Sequence, residues 1–115
     1  MSNVIRKTLS KELTTANQDI YTVPAAFSGD VSSIIISNAS SSAVTFSLDW
    51  YDSYNTTYHT IAESVNMSPN SIVQITEYPL MLEKNDKIRG LASANSAITV
   101  TISTEETFVP RNRFA

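Results

Sequence analysis

Apolar and polar residues alternate strictly over 44–51: Val44, Phe46, Leu48 and Trp50 take every second position, with Thr45, Ser47, Asp49 and Tyr51 between them. A period of two describes a strand with one buried and one wet face. Just upstream, Val31, Ile34, Ile35 and Ile36 place apolar groups on both faces, as expected of a more interior strand. Small residues at Ala39–Ser41 separate the two stretches, so the pattern predicts a β-hairpin over 31–53. With Ile36 opposite Val44, Ile34 faces Phe46 and Ser32 faces Leu48. A one-residue slip would turn the large apolar groups to solvent.

The same device recurs along the chain. VIRKTL (4–9) reads as a first strand at a sheet edge, where Arg6 and Lys7 discourage uncontrolled pairing. SKELTTAN (10–17) is a loop or a short strand; the third residue after Ser10 is Leu13, so the capping-box signature of a helix is missing. DIYTV (19–23) is a strand stopped by Pro24, followed by a turn over 25–30 in which Gly29 is free to take a positive φ. DSYN (52–55) is a turn, TTYHTIA (56–62) a strand, MSPNS (67–71) a turn and IVQIT (72–76) a short strand. YPLML (78–82) carries the chain across an edge or between sheets. KNDK (84–87) turns into a second expected hairpin, 87–92 with 97–103, pairing Ala92 with Ile98, Gly90 with Val100 and Ile88 with Ile102. Gly90 there permits a bulge or close sheet packing, and Leu91 falls on the wrong face, where the register would break.

About eight short strands and no convincing helix predict an all-β, single-domain antiparallel β-sandwich, either jelly-roll or immunoglobulin-like, spanning 1–115. The ends, 1–11 and 105–115, are expected as extended interaction arms.

Composition narrows the function classes. The chain has 115 residues, enough for one domain, and no cysteine, which removes disulfides, thiolate metal sites and a cysteine nucleophile. A net charge of −3 does not suit a general nucleic-acid binder. The N-terminus MSNVIRK lacks the apolar core of a signal peptide, and no apolar run approaches membrane-spanning length. About a quarter of the residues are Ser or Thr, but they interleave regularly with Ile, Val, Phe and Leu, which is the mark of order.

Candidate chemistry is sparse. His59, the only histidine, lacks an evident nucleophile or companion ligands and reads as a rim residue. Asp49, Asp52 and Asn55 lack the glycine and terminal glutamate of a calcium loop, so turn capping by Asp52 and Asn55 is favoured. Phosphate loops, HExxH and GxSxG are absent, the sequons at Asn38, Asn55 and Asn66 are what a Ser/Thr-rich chain carries by chance, and no enzyme and no cofactor is expected. Two groups remain. Trp50, Tyr51, Tyr54 and Tyr58 cluster around one turn; Trp50 belongs to the core face, whereas Tyr51, Tyr54 and Tyr58 with Asp52 are candidates for stacking on a sugar. Basic residues concentrate at the termini, with Arg6, Lys7 and Lys11 at one end and Arg111 and Arg113 at the other. As arms on a neighbouring subunit, these segments would insert Phe108 and Phe114 into pockets while the arginines meet carboxylates.

The segments DIYTVPAAFSGDVSSIIISNASSSAVTFSLDWYD and YPLMLEKNDKIRGLASANSAITVTIS resemble small virion proteins of tailed bacteriophages, including marine and cyanobacterial phages. The shared pattern is carried by Tyr21–Pro24, Ser33–Asn38, Pro79, Leu80, Leu82, Asp86 and Ile88. It consists of apolar positions and turns and contains no catalytic motif. The resemblance implies a β-sandwich built into a virion, assembled in the host cytoplasm and without nucleic-acid or membrane partners. Three roles follow in order. The first is a capsid decoration or cement protein contacting the major capsid protein and copies of itself. The second is a tail, neck or fibre-base component contacting tail proteins, and the third a host-surface glycan-binding module.

Overall fold

The computed structural model describes residues 4–75 and 80–109. Among them are nine strands: β1 (Val4–Glu12), β2 (Gln18–Thr22), β3 (Phe27–Asn38), β4 (Val44–Asp52), β5 (Thr57–Met67), β6 (Ser71–Ile75), β7 (Leu80–Leu82), β8 (Lys87–Ala92) and β9 (Ile98–Phe108). They form two antiparallel sheets. The first has the order β1-β9-β3-β6, with β7 also on β3; the second has the order β2-β8-β4-β5. β6 and β7 lie end to end along β3, Ile75 opposite Ile34 and Leu80 opposite Val31, and act as one interrupted strand.

The expected sandwich is therefore present, but neither expected hairpin forms. β3 and β4 are consecutive in sequence and lie in opposite sheets, and so do β8 and β9. Ile34 and Ile36 do face Val44, Phe46 and Leu48, but across the core and not within one sheet. All five, with Val31 of β3, are part of one cluster with Ile88, Ile98, Val100 and Ile102. The actual neighbours pair the first half of the chain with the second in reverse: β1 with β9, β2 with β8, β3 with β6 and β4 with β5. Folding such a ribbon over itself gives a jelly roll, which decides between the two sandwich types.

Local details follow from burial. Phe46 and Leu48 in β4 and Ile98, Val100 and Ile102 in β9 are almost wholly buried. Truncating either β4 side chain to alanine is expected to cost about 3–5 kcal/mol. Gly29 is not in a turn and has no positive φ; it lies inside β3, where an added Cβ would sit 2.7 Å from Tyr21 Oη. Gly90 pairs with Leu48 and Gln18 and not with Val100, and its added Cβ would meet Ser47 O at 2.9 Å. The close-packing reading of Gly90 holds, while the partner was another strand. β8 alternates without a break, and Leu91 simply faces outward opposite Ser47.

The links 13–17, 39–43, 68–70 and 93–97 gather at one end. Buried Asn38 organises them: its Nδ2 donates to the carbonyls of Ser42, Met67 and Ser68, and its Oδ1 accepts from Ser40 N and Oγ. At the opposite end buried Asp86 accepts from Ser53 N, Ser53 Oγ and Glu83 N, tying the β4–β5 turn to the β7–β8 turn.

Candidate interaction surface

Val4 stands opposite Thr107, and Phe27 opposite Phe108, so the described chain begins and finishes at the same end of the sandwich, the end held by Asp86. Residues 4–12, expected in large part as an arm, form the edge strand β1 along the whole of β9. Arg6 Nε donates to Glu105 Oε2 at 2.9 Å on the outer face, and Lys7 Nζ lies 3.2 Å from Glu106 Oε1 on the core-facing side. Lys11 stands opposite Val100. Arg111, Arg113 and Phe114 lie outside the described residues.

Glu106 is the most unusual group at this end, a carboxylate only 1% exposed. A register shift in β2 leaves Ile20 without a partner, so that Ile20 and Tyr21 are both buried. The Tyr21 hydroxyl crosses from the second sheet to the first and donates to Glu106 Oε2 at 2.6 Å. Burial, then the hydrogen bond to Glu106 and the charge of that carboxylate, push the Tyr21 phenol well above its ordinary range, so it remains a donor. The missing side chain at Gly29 makes room for that hydroxyl. Sequence reading passed over this constellation although a signal existed: Glu106 falls in the buried phase set by Ile98, Val100, Ile102 and Thr104.

Apolar side chains are left partly open at this end of the first sheet. Ile5 is 46% and Phe108 41% exposed, while Met81 on β7 is 80% exposed. The Phe108 ring meets Phe27 edge-on at 5.7 Å, and Val109 N donates to Ala26 O. Phe108 is thus half anchored and half offered to solvent.

The tyrosine candidates fall on the second sheet. Tyr51 and Tyr58 are directly opposite, with ring centroids 4.8 Å apart. The chain's own cations cover them: Arg89 Cζ lies 3.4 Å from the centre of the Tyr58 ring, and Lys87 Nζ 5.4 Å from that of Tyr51. Arg89 also pairs with Asp49 at 3.1 Å and Lys87 with Asp19 at 3.4 Å. Asp52 accepts from Asn55 N and Nδ2, as turn capping requires, and those bonds with nearby His59 hold its carboxyl below the usual carboxylate range. His59 sits at the rim, stacked on Trp50 at 4.7 Å, and Trp50 packs against the core. Tyr54, at the tip of the turn, is 93% exposed and makes no ring contact among the described residues. Among those residues, no group of three or more His, Cys, Asp or Glu side chains is placed to hold a metal ion. No helix there is long and apolar enough to cross a membrane.

No family model and no curated protein sequence matches the chain. Its backbone is similar to solved structures at low identity. A chain of the Bacillus endospore appendages, described as disulfide-linked pili, aligns at a TM-score of 0.53 and 9% identity, over 95% of this chain and 91% of that one. A chain of infectious bursal disease virus, Gx strain, aligns at 0.50 and 11% identity over 97% of this chain; the chain spans about a third of its length, 33%. A pentameric capsid protein from metagenomic phage sequences aligns at 0.40 and 16% identity over 88% of this chain and 61% of that one. At these identities the first two likenesses establish the fold alone.

Proposed function

We propose that this protein is a non-enzymatic structural component of a bacteriophage virion, most directly a capsid decoration or cement protein that bridges neighbouring subunits of the head. The observation that carries the reading is the end of the sandwich where the described chain begins and finishes. Ile5, Phe108 and Met81 are open there beside paired charges, while the rest of the molecule is a rigid spacer. A partner surface closing over these side chains would remove apolar area from water at roughly 25 cal/mol per Å² before ordering costs. The phage-like sequence pattern and the sandwich shared with a virus chain support the same reading. Arg6, Lys7, Phe108, Arg111, Arg113 and Phe114 are the contact residues, and the major capsid protein is the partner.

A tail, neck or fibre-base role is the second reading, favoured by the likeness to a pilus chain of nearly the same extent. This chain has no cysteine, so any fibre it builds is joined without disulfides. A host glycan site draws less support, because Arg89 and Lys87 already lie over Tyr58 and Tyr51. Quantitative mass spectrometry on purified particles separated into heads and tails tests the proposal. Copy numbers comparable with the major capsid protein in the head fraction are expected. Small, ring-like stoichiometry in the tail fraction replaces the first reading with the second, and absence from both ends the virion reading.

A further inference from the structure

We infer that β1 is an exchangeable strand: residues 4–12 of one copy add to β9 of a second copy in the register they now occupy at home. The inference rests on a contrast within one ladder. On the β9 side, Ile98, Val100, Ile102, Thr104 and Glu106 are all buried, held by β3 and the second sheet as well as by β1. On the β1 side, eight of nine residues are exposed and only Leu9 is partly buried. β2, the edge strand of the other sheet, has five residues and leaves β1 largely uncovered. β1 is thus attached by its backbone ladder and a few side-chain pairs, the profile of an element that opens at little cost to the core.

The ladder also encodes its partner. Arg6 meets Glu105 on the outer face and Lys7 meets buried Glu106 on the inner one. A slip of two residues would set Arg6 opposite Ser103 or Thr107 in place of Glu105, and the first of these would also carry Lys7 from Thr104 to Ile102, away from Glu106, so the acceptor selects this register and this sequence. The basic residues that guard an edge against foreign strands are, on this ladder, the means of recognising the chain's own. A pivot lies just beyond: Leu13 is fully buried, its N donates to Ile98 O and its carbonyl accepts from Ser96 N. β1 therefore swings out from Glu12 without unseating the core. The exchanged strand makes the bonds it made at home, so local concentration decides the balance, and reciprocal exchange closes a dimer while sequential exchange builds rings or filaments.

The absence of cysteine makes the test direct. Thr8 stands opposite Ser103 on the solvent-facing side of the ladder, and T8C and S103C are made as separate full-length variants. Each is held reduced, the two are mixed at high concentration, and the mixture is oxidised. Exchange predicts a disulfide-linked dimer in the mixture and none from either variant alone. No dimer in the mixture, or equal dimer in the single-variant controls, overturns the inference. The double variant T8C/S103C, oxidised while dilute, reports independently: its locked strand must keep it monomeric on light scattering where the reduced form associates. Equal association of the two forms overturns the inference as well. Because only this chain is present, the outcome is independent of which particle the protein belongs to.

Discussion

At one end of the sandwich the links 13–17, 39–43, 68–70 and 93–97 contain no charged residue; they are Ser, Thr, Asn, Ala and Pro around Leu13. The other end carries Arg6, Lys7, Asp52, Glu83, Lys84, Asp86, Glu105 and Glu106 together with exposed Tyr54, Met81 and Phe108. Both ends contain one buried polar hub, Asn38 or Asp86, that gathers backbone groups from separate loops. They differ in what is left over. At the neutral end, Asn38 spends its amide on Ser40, Ser42, Met67 and Ser68, and Ser71 Oγ bonds Ser68 O, so the links are largely satisfied by one another. At the charged end apolar area stays open beside Glu106, whose partners are a tyrosine from the other sheet and a lysine from the exposed edge strand β1. Apolar area is open at the neutral end too, at Ile72, but the links beside it carry no charge, which is why the charged end is the one to test.

Among the polar groups at the two ends, the largest effect is expected from Asn38→Ala. It removes a donor from three carbonyls and an acceptor from Ser40, and should cost about 3 kcal/mol, read as a lower urea midpoint with an unchanged slope. Its cost should fall on stability and leave incorporation into particles unchanged when the protein is folded. Asp86→Ala should cost about 2 kcal/mol by the same measurement and should free the Ser53 and Glu83 amides to exchange faster with deuterium. If Asp86→Ala proved harmless, the two hubs would not be equivalent.

Tyr21→Phe should cost about 1–2 kcal/mol near neutral pH, since it strips Glu106 of a buried donor. It also carries a pH signature. The folded state raises the phenol pKa, so it holds that proton more tightly than the unfolded chain does. The associated stability is complete below the ordinary phenol pKa near 10 and is lost as pH rises beyond it. The wild type should therefore lose stability above about pH 10 more steeply than Tyr21→Phe in denaturant titrations. Parallel slopes would mean that the hydroxyl does not link the sheets. Smallest of all, Tyr54→Ala should change stability by less than about 0.5 kcal/mol, because the ring is almost free of contacts. A change in particle incorporation with stability intact would extend the contact surface to this turn; loss of binding on a glycan array would revive the sugar-binding reading.

Strand positions were legible because period-two alternation is a local property of the backbone. Val44, Phe46 and Leu48 had to share a face, and they do. The turn at Asp52–Asn55, the rim position of His59 and the edge position of β1 were legible for the same reason: each depends on near neighbours or on charge at an edge. Partners were not legible. Ile34 and Ile36 would lie near Phe46 and Leu48 whether the strands were neighbours in one sheet or faced each other across a core, and the apolar pattern is identical in both arrangements. Short links at 39–43 and 93–97 suit a hairpin as well as a step between sheets, and here they take the step. Gly29 was misplaced because its reason is a tyrosine hydroxyl arriving from another strand, which no local reading contains.

The sequence by itself determined an all-β domain, most of its strands and turns and the concentration of basic residues near its ends, since these follow from spacing and local backbone chemistry. Only the tertiary structure decided that the ribbon folds as a jelly roll, that Tyr21, Glu106, Lys7 and Gly29 meet, and that Arg89 and Lys87 cover the tyrosines. Those outcomes depend on which distant strands lie side by side, and that choice is made by burial summed over the whole core.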